Sequence, residues 1–477
     1  MVFPCNTKII PVPANNTPMR RIRSRASREM VCAPFPGMDC KSDDDKSYKR
    51  GNVMSLEYYM ATLLAMFRHV RIWPVTSFTL CKTFLVTTGT NISLMAIFLV
   101  LLSEIVALMM ITSLKLFANI IGVICMHVTG LIKWCYCIRY NEEIVHIVTK
   151  LEKCHVLCQQ FDNCEKVSQI YKDEMEYARR WSNWYLWWSL CIYIYGVIHW
   201  CSNPFLAHLL ADHTNSINQT FRKINLPYIG WYPIDIDDME NFICVYLLQF
   251  SGSISSVLGI AWFDAFYICM VLIICAQFQY INTILENTDF HNATFALERK
   301  LKNCLDCHVQ IIKFLEMLQT FASPAMFVQC IETLVLICLV SFDVATVEIA
   351  FHPEHIFKLW SLFEYLILSC IQLYVFCFVA TRLEQLGTQI ACSVYFCGWE
   401  RWVFKECQSN FSGQKDGLKY YNIKRLRLVQ MIMLRAQKPI ILTGGPFYKL
   451  SLETFKVIIS MAISNCIVLR TMSETDN

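Results

Sequence analysis

Charge is what this 477-residue sequence has least of. Asp, Glu, Lys and Arg make up 17% of it, where soluble domains carry about a quarter. Hydrophobic residues reach 55% and the mean hydropathy is +0.39. A soluble chain of this length would form two or three domains, each with a polar surface. There is too little polar sequence here for those surfaces, so the surplus apolar residues must face lipid. Also lacking is a signal-peptide pattern: Met1 to Arg50 mixes Pro, Asn, Ser and basic residues without the apolar run of about seven or more that such a peptide needs. Insertion is therefore expected to begin at the first span. No H-E-x-x-H, P-loop, G-x-S-x-G or G-x-G-x-x-G element occurs, so no recognised catalytic device supports an enzyme. No internal repeat is visible, and a net charge of +4 carries no information about nucleic acid or acidic substrates.

What is present is a series of long apolar windows. A membrane-crossing helix needs about 20 apolar residues. Such windows fall near Phe84–Thr112, Phe117–Cys137, Trp184–Leu206, Phe242–Tyr280, Pro324–Thr346, Ile356–Ala380 and Phe447–Leu469. The fold class is all-α, a polytopic membrane protein with seven transmembrane helices within residues 84–469. The fourth window is long enough to protrude, and the sixth continues as helix to about Tyr395. Residues 1–54 are polar, Pro-containing and Arg-rich, a composition that cannot bury enough apolar surface to order itself. They are expected to form a disordered cytosolic arm. Residues 55–83 carry an amphipathic pattern, Leu56, Met60, Leu63, Leu64 and Phe67, expected to lie along the membrane surface. Residues 470–477 are expected to form a short extracellular tail.

Loop charge gives an expected orientation, because Lys and Arg are retained on the cytoplasmic side. Roughly three-quarters of the 42 basic residues fall before the first span or in the loops after spans two, four and six. The loop after span three is acidic, with Asp235, Asp237, Asp238 and Glu240. The N-terminus is therefore expected inside and the C-terminus outside. The sequon at Asn218 lies in that outer loop and is the candidate glycosylation site. Sequons at Asn15, Asn292 and Asn410 fall in segments expected inside.

Several features invite a chemical reading. Cys304, Cys307 and His308 have the spacing of a c-type haem attachment site, but they sit in a helical-period segment, and chance is the better reading. The 25 cysteines lie mostly in apolar segments, where Cys behaves as a small buried hydrophobe, so they are read as reduced. No cofactor or metal is implied. Glu104, Asp264, Glu332, Asp343 and Glu364 fall inside or near spans, where acids are expensive unless they face protein or water. They either line an ion path, or pair with neighbouring helices or sit near the interface. Span three is strongly aromatic. Its inner group, Trp184, Tyr185, Trp187 and Trp188, suits an interface belt. Its outer group, Tyr193, Tyr195, His199 and Trp200, with Tyr246 and Phe250 at the start of span four, is either more of that belt or the wall of a pocket for a small apolar molecule.

The C-terminal segment is the most distinctive. It reads Leu434-Arg-Ala-Gln-Lys-Pro439, Leu442-Thr-Gly-Gly-Pro-Phe447 and Leu450-Ser-Leu-Glu-Thr-Phe455, followed by Ser464 to Arg470. With Arg71-Ile-Trp-Pro74, Leu226-Pro through Trp231-Tyr-Pro233, and Tyr395 with Trp399, it closely resembles the insect odorant receptor family over most of the chain. Two departures are Ile463, where the family usually has an aromatic, and the long arm before Ser55. The resemblance implies an inverted seven-helix receptor that detects small volatile odorants and is itself a ligand-gated, nonselective cation channel. Such a subunit works with the odorant receptor co-receptor in a heterotetramer, in the plasma membrane of olfactory sensory neuron dendrites. It further implies that the last helix lines the pore, with Val468 aligned to the hydrophobic gate and Met472 one turn further out, and that Tyr395 and Trp399 belong to an anchor between subunits. A G-protein-coupled chemoreceptor and a membrane transporter are the competing classes. The first conflicts with the loop charge, and the second usually shows duplicated halves.

Overall fold

The computed structural model describes residues 54–74, 80–112, 114–160, 165–214, 225–287, 294–346, 353–400, 415–446 and 448–475. The arm before Met54, Asn218 and the side chain of Asp343 lie outside the described residues. Two short helices, α1 (Leu56–Tyr59) and α2 (Ala61–His69), precede α3 (Leu80–Met110), α4 (Leu114–Arg139), α5 (Asn141–Gln159) and α6 (Glu165–Thr214). Then follow α7 (Met239–Asn287), α8 (Thr294–Thr346), α9 (Pro353–Phe396), α10 (Lys415–Gln437), a hairpin of β1 (Thr443–Gly444) with β2 (Tyr448–Lys449), and α11 (Leu452–Thr475). The architecture is all-α apart from that hairpin. Helices α3, α4, α6, α7, α8, α9 and α11 occupy the seven windows expected from the sequence.

Five of the seven, α3, α4, α7, α8 and α9, are long and apolar enough by themselves to cross a membrane. Helices α6 and α11 fill the third and seventh places with more polar sequence. Helix α7 is apolar all round, which suits a helix surrounded by others, and 89% of its most apolar window is buried. It packs against α3, α4, α6 and α9. The contact with α4 is glycine-mediated: a Cβ at Gly259 would lie 2.6 Å from the Gly130 carbonyl, and one at Gly130 would collide with Ser256. Small residues let two backbones approach where lipid provides no hydrophobic drive for helix association.

Four helices, α6, α7, α8 and α9, are far longer than a bilayer crossing needs. The 49 residues of α7 span about 74 Å at 1.5 Å per residue, against a hydrocarbon core of ~30 Å. The start of α6, the end of α7, the start of α8 and the end of α9 therefore extend beyond the other helices at one end of the bundle. There Tyr171, Ile281, Leu301 and Ile390 share a core with residues of α5 and α10. The apolar face of residues 55–83 belongs to this core: Leu56, Met60, Leu63 and Phe67 are buried, and Phe67 packs on Phe266 of α7 with ring centroids 5.9 Å apart. An amphipathic face does not distinguish lipid from protein, and here protein occupies it.

The Thr443-Gly-Gly segment docks on α8 beside Pro324. Gln319 donates to the Thr443 carbonyl at 2.8 Å and accepts from its amide at 3.0 Å, while the Gly445 amide donates to the Ser323 carbonyl at 3.1 Å. Gly445 has φ +66°, a left-handed conformation that glycine adopts without steric cost. Helix α11 thus begins at Leu452, not near Phe447, because the hairpin takes the intervening residues. Its N-terminus is capped by Ser451, whose hydroxyl accepts from the Thr454 amide at 3.2 Å.

Candidate functional site

Helices α4, α6, α7, α8 and α9 enclose a cavity of roughly 100 Å³. This is of the order of the ~150 Å³ apolar cavity that admits a benzene ring. Helical spacing aims Tyr193, Gly196 and Trp200 of α6 to one side, and Tyr365, Leu368 and Gln372 of α9 form the facing wall. Tyr228, from the segment between α6 and α7, completes the lining. Gln249 of α7 holds that segment by accepting from the Tyr228 amide at 3.1 Å and donating to its carbonyl at 2.9 Å. Trp200 donates its indole N–H to the Pro227 carbonyl at 3.3 Å and stacks on Tyr228 with ring planes 11° apart. A smaller void of about 40 Å³ shares Val123, Trp200 and Tyr228.

The lining is apolar and aromatic except at a few points. His199 Nδ1 lies 2.8 Å from Glu364, whose Oε1 has no hydrogen-bond partner. Glu332 is 6% exposed, and its Oε2 is also without a partner. Gln372 donates to Asp264 at 2.6 Å. Behind it, Lys133 pairs with Asp264 at 2.6 Å and donates to Gln329, and both members of the pair are fully buried. Near the smaller void, His127 lies 2.9 Å from Glu104 and 3.2 Å from Ser253. Intramembrane acids with described side chains therefore split into two groups. Asp264, Glu104 and Glu364 each face a basic residue, although Oε1 of Glu104 and of Glu364 is without a hydrogen-bond partner, whereas Glu332 has no basic residue of its own; Glu332 and Glu364 both line the cavity.

Of the aromatic residues singled out in the sequence, Tyr193, His199 and Trp200 line the cavity. Tyr195 is 52% exposed and meets the site only by stacking on the His199 ring, 5.9 Å away. Tyr246 and Phe250 do not line the cavity but pack on the cluster of Val197, Cys201, Tyr228 and Val257, three of which do, and Tyr246 donates to the Cys201 carbonyl at 3.0 Å. Sequence reasoning did not assign Tyr228, Glu332, Glu364, Tyr365 and Gln372 to this pocket. They come from separate elements, and no local pattern links them.

The remaining candidates lie elsewhere. Val468 and Met472 are on the last turns of α11, but their side chains lie outside the described residues. On the preceding turns, Val457, Ile463 and Ile467 are exposed, while Ile458 and Ala462 pack against Ile337, Leu373 and Cys377. Tyr395 is exposed beside Phe396 at the end of α9, and Trp399 packs partly against the large core. Cys304, Cys307 and His308 are buried in α8. Among the described residues, no group of three or more potential ligands is arranged to hold a metal, and every cysteine with a described side chain is free.

The model of the 7tm odorant receptor family matches residues 113–463. The chain is similar to odorant receptor 13a of Drosophila melanogaster, 25% identical over 286 residues covering 59% of this chain and 64% of that one. It is also similar to odorant receptor 83a of the same species, 22% identical over 335 residues covering 60% and 66%. In both, the match spans slightly less than two thirds of the relative's length. In fold it is similar to the insect olfactory receptor OR5 from Machilis hrabei in complex with eugenol, with a TM-score of 0.64 at 16% identity, covering 87% of this chain and 98% of that one.

Proposed function

The chain belongs to the 7tm odorant receptor family, and from that premise we propose that it is the odorant-binding subunit of a ligand-gated, nonselective cation channel that works with a co-receptor. The observation that carries the reading is the cavity walled by Tyr193, Trp200, Tyr228 and Tyr365. It is concave and mainly apolar, with a few polar groups, as small-molecule sites are. A volatile bound there favours opening only by binding the open arrangement better than the closed one. Because α9 contributes one wall of the cavity and also contacts α11, a ligand-induced shift of α9 has a direct route to the last helix.

In this reading α11 lines the pore, and Val468 forms an apolar ring that stops ions by dewetting, with Met472 one turn further out. The exposed apolar side chains of α11 and those of Tyr395, Phe396, Met431 and Leu434 meet other subunits, with Tyr395 and Trp399 in an anchor of a heterotetramer. The cavity end and Asn218 lie outside the cell, and the arm before Met54 and the α5 and α10 end lie in the cytosol, in a multi-pass plasma membrane protein of the sensory neuron.

The test is whole-cell current in cells expressing this chain with and without an insect co-receptor, during pulses of neutral volatiles, with no GTP in the pipette. A fast cation current that requires both subunits is expected. A chain that reaches the surface and yields a G-protein signal or solute uptake instead of current would overturn the channel assignment.

A further inference from the structure

Glu332 meets only the neutral side chains of Thr129 and Gln329 and has no cation of its own among the described residues. Burying a carboxylate without a paired charge is costly, and the other described intramembrane acids avoid that cost. Asp264 has Lys133, Glu104 has His127 and Glu364 has His199. Lys133, whose charge reaches Glu332, is already held by Asp264 and Gln329. Glu332 is more than nine-tenths buried, lines the cavity and keeps Oε2 without a partner. The Glu364 oxygen left free by His199, Oε1, lines the same cavity. Gly196 leaves that oxygen accessible, since even a Cβ there would stand 3.6 Å away.

The other charged or titratable groups around this space are few. His199 faces Glu364, the phenols of Tyr193, Tyr228 and Tyr365 line the walls, and Lys133 with Asp264 sits behind Gln372. Among the described residues, one carboxylate is thus in excess over the cations that face this space. Aromatic rings, which attract cations through their faces, make up much of the remaining wall.

We propose that this cavity takes a small protonated amine bearing an aryl or compact alkyl group, with Glu332 as its principal counter-charge and Glu364 Oε1 as a second acceptor. The proposal rests on the reading of this cavity as the odorant site and adds the chemical class of the odorant. The ammonium would supply the counter-charge that Glu332 lacks and a partner for its Oε2, and its hydrocarbon part would fill the space between Trp200 and Tyr365.

Three molecules of similar shape separate the alternatives: benzylamine, protonated at neutral pH, benzyl alcohol, a neutral donor, and ethylbenzene, which is neither. Binding to the purified full-length chain in detergent is measured by calorimetric titration, and currents are recorded in cells with the co-receptor. Benzylamine is expected to bind at least about tenfold more tightly than the other two, the scale of a hydrogen bond to a charged group. Glu332→Gln should bring all three within about threefold while the unfolding temperature of the variant stays near that of the parent. Glu364→Gln, further from the centre of the excess charge, should give a smaller loss of the same sign. Equal binding of the three, a preference for benzyl alcohol, or an unchanged benzylamine affinity in Glu332→Gln would overturn the proposal. Should neutral volatiles gate current while benzylamine neither binds nor gates, the amine proposal fails and the receptor reading stands. If benzylamine binds the purified chain but no volatile evokes current, the channel reading fails and the amine site stands.

Discussion

The closed network around Asp264 and the open cavity around Glu332 are built from the same helices, α4, α7, α8 and α9, yet they treat a buried carboxylate in opposite ways. Asp264 accepts from Lys133 on one oxygen and from Gln372 on the other, each at 2.6 Å, and Lys133 is further held by Gln329. Glu332, two residues along α8 from Cys330, which Gly444 of the docked hairpin approaches, keeps an oxygen without a hydrogen-bond partner beside the cavity. A buried ion pair contributes little net stability compared with a well-packed apolar pair, but removing one member is expensive. A saturated network therefore serves structure, whereas an unsaturated group next to a cavity is available to a ligand. Gln372 touches both regions, lining the cavity with one end of its environment in the Asp264 network.

The comparison would break if the two regions responded alike to substitution. Lys133→Ala leaves Asp264 buried and unpaired, and a loss of about 3–5 kcal/mol is expected, measured by thermal unfolding of the purified chain in detergent. The double change Lys133→Met with Asp264→Leu should recover most of that loss. Gly259→Ala drives a methyl toward the Gly130 carbonyl at 2.6 Å and should cost about 1–3 kcal/mol in the same measurement, since the α4 and α7 backbones cannot part without disturbing Lys133 and Asp264.

A third buried titratable group sharpens the contrast from outside the membrane-spanning segments. His155 of α5 donates from Nε2 to the Met54 carbonyl at 2.9 Å, and its Nδ1 meets the Tyr171 hydroxyl at 2.7 Å. Burial holds it neutral, with its affinity for a proton below the ordinary value of 6.5. The unfolded chain therefore takes up a proton near that pH which the folded chain refuses, so this contribution is full above about pH 6.5 and is lost as pH falls below it. The slope for one proton is at most about 1.4 kcal/mol per pH unit. A His155→Gln variant should show a flatter decline in unfolding temperature between neutral and mildly acidic pH. The smallest effect is expected in the open region, where Glu332→Gln should change stability by less than about 1 kcal/mol, because it removes no hydrogen bond from the free oxygen and lowers the charge to be buried. A large loss there would mean that Glu332 is structural after all.

Much of the fold was legible in the sequence, because a spanning helix is signalled by its own consecutive apolar residues. The seven windows correspond to seven helices, and the boundaries fail where another element intrudes, as at Phe447, where a hairpin precedes α11. The amphipathic stretch Leu56 to Phe67 was recognised as amphipathic, but its pattern carries no mark of what covers it. At the site, Tyr193, His199 and Trp200 stood out because they crowd one stretch of α6. Glu332 and Glu364 were visible as acids in apolar windows, with an ion path and helix pairing left as equal alternatives. Their shared cavity was not visible, because it depends on how α6, α8 and α9 meet. Lys133 and Asp264 are 131 residues apart in sequence, and no local pattern announces such a pair.

The central claim is that ligand binding in the α6 and α9 cavity opens the channel, and filling the cavity tests it most directly. Gly196 has ordinary clearance for a Cβ, 3.6 Å from Glu364 Oε1 and 3.9 Å from Leu368, so Gly196→Leu should fold and project its side chain into the space the ligand needs. The measurement is the odorant dose–response of current from Gly196→Leu and parent subunits, each expressed with the co-receptor and matched for surface abundance. The account predicts a shift to at least about tenfold higher odorant concentration, or loss of the response, with the variant still at the surface. An unchanged dose–response in a variant that reaches the surface would contradict it and place the odorant elsewhere.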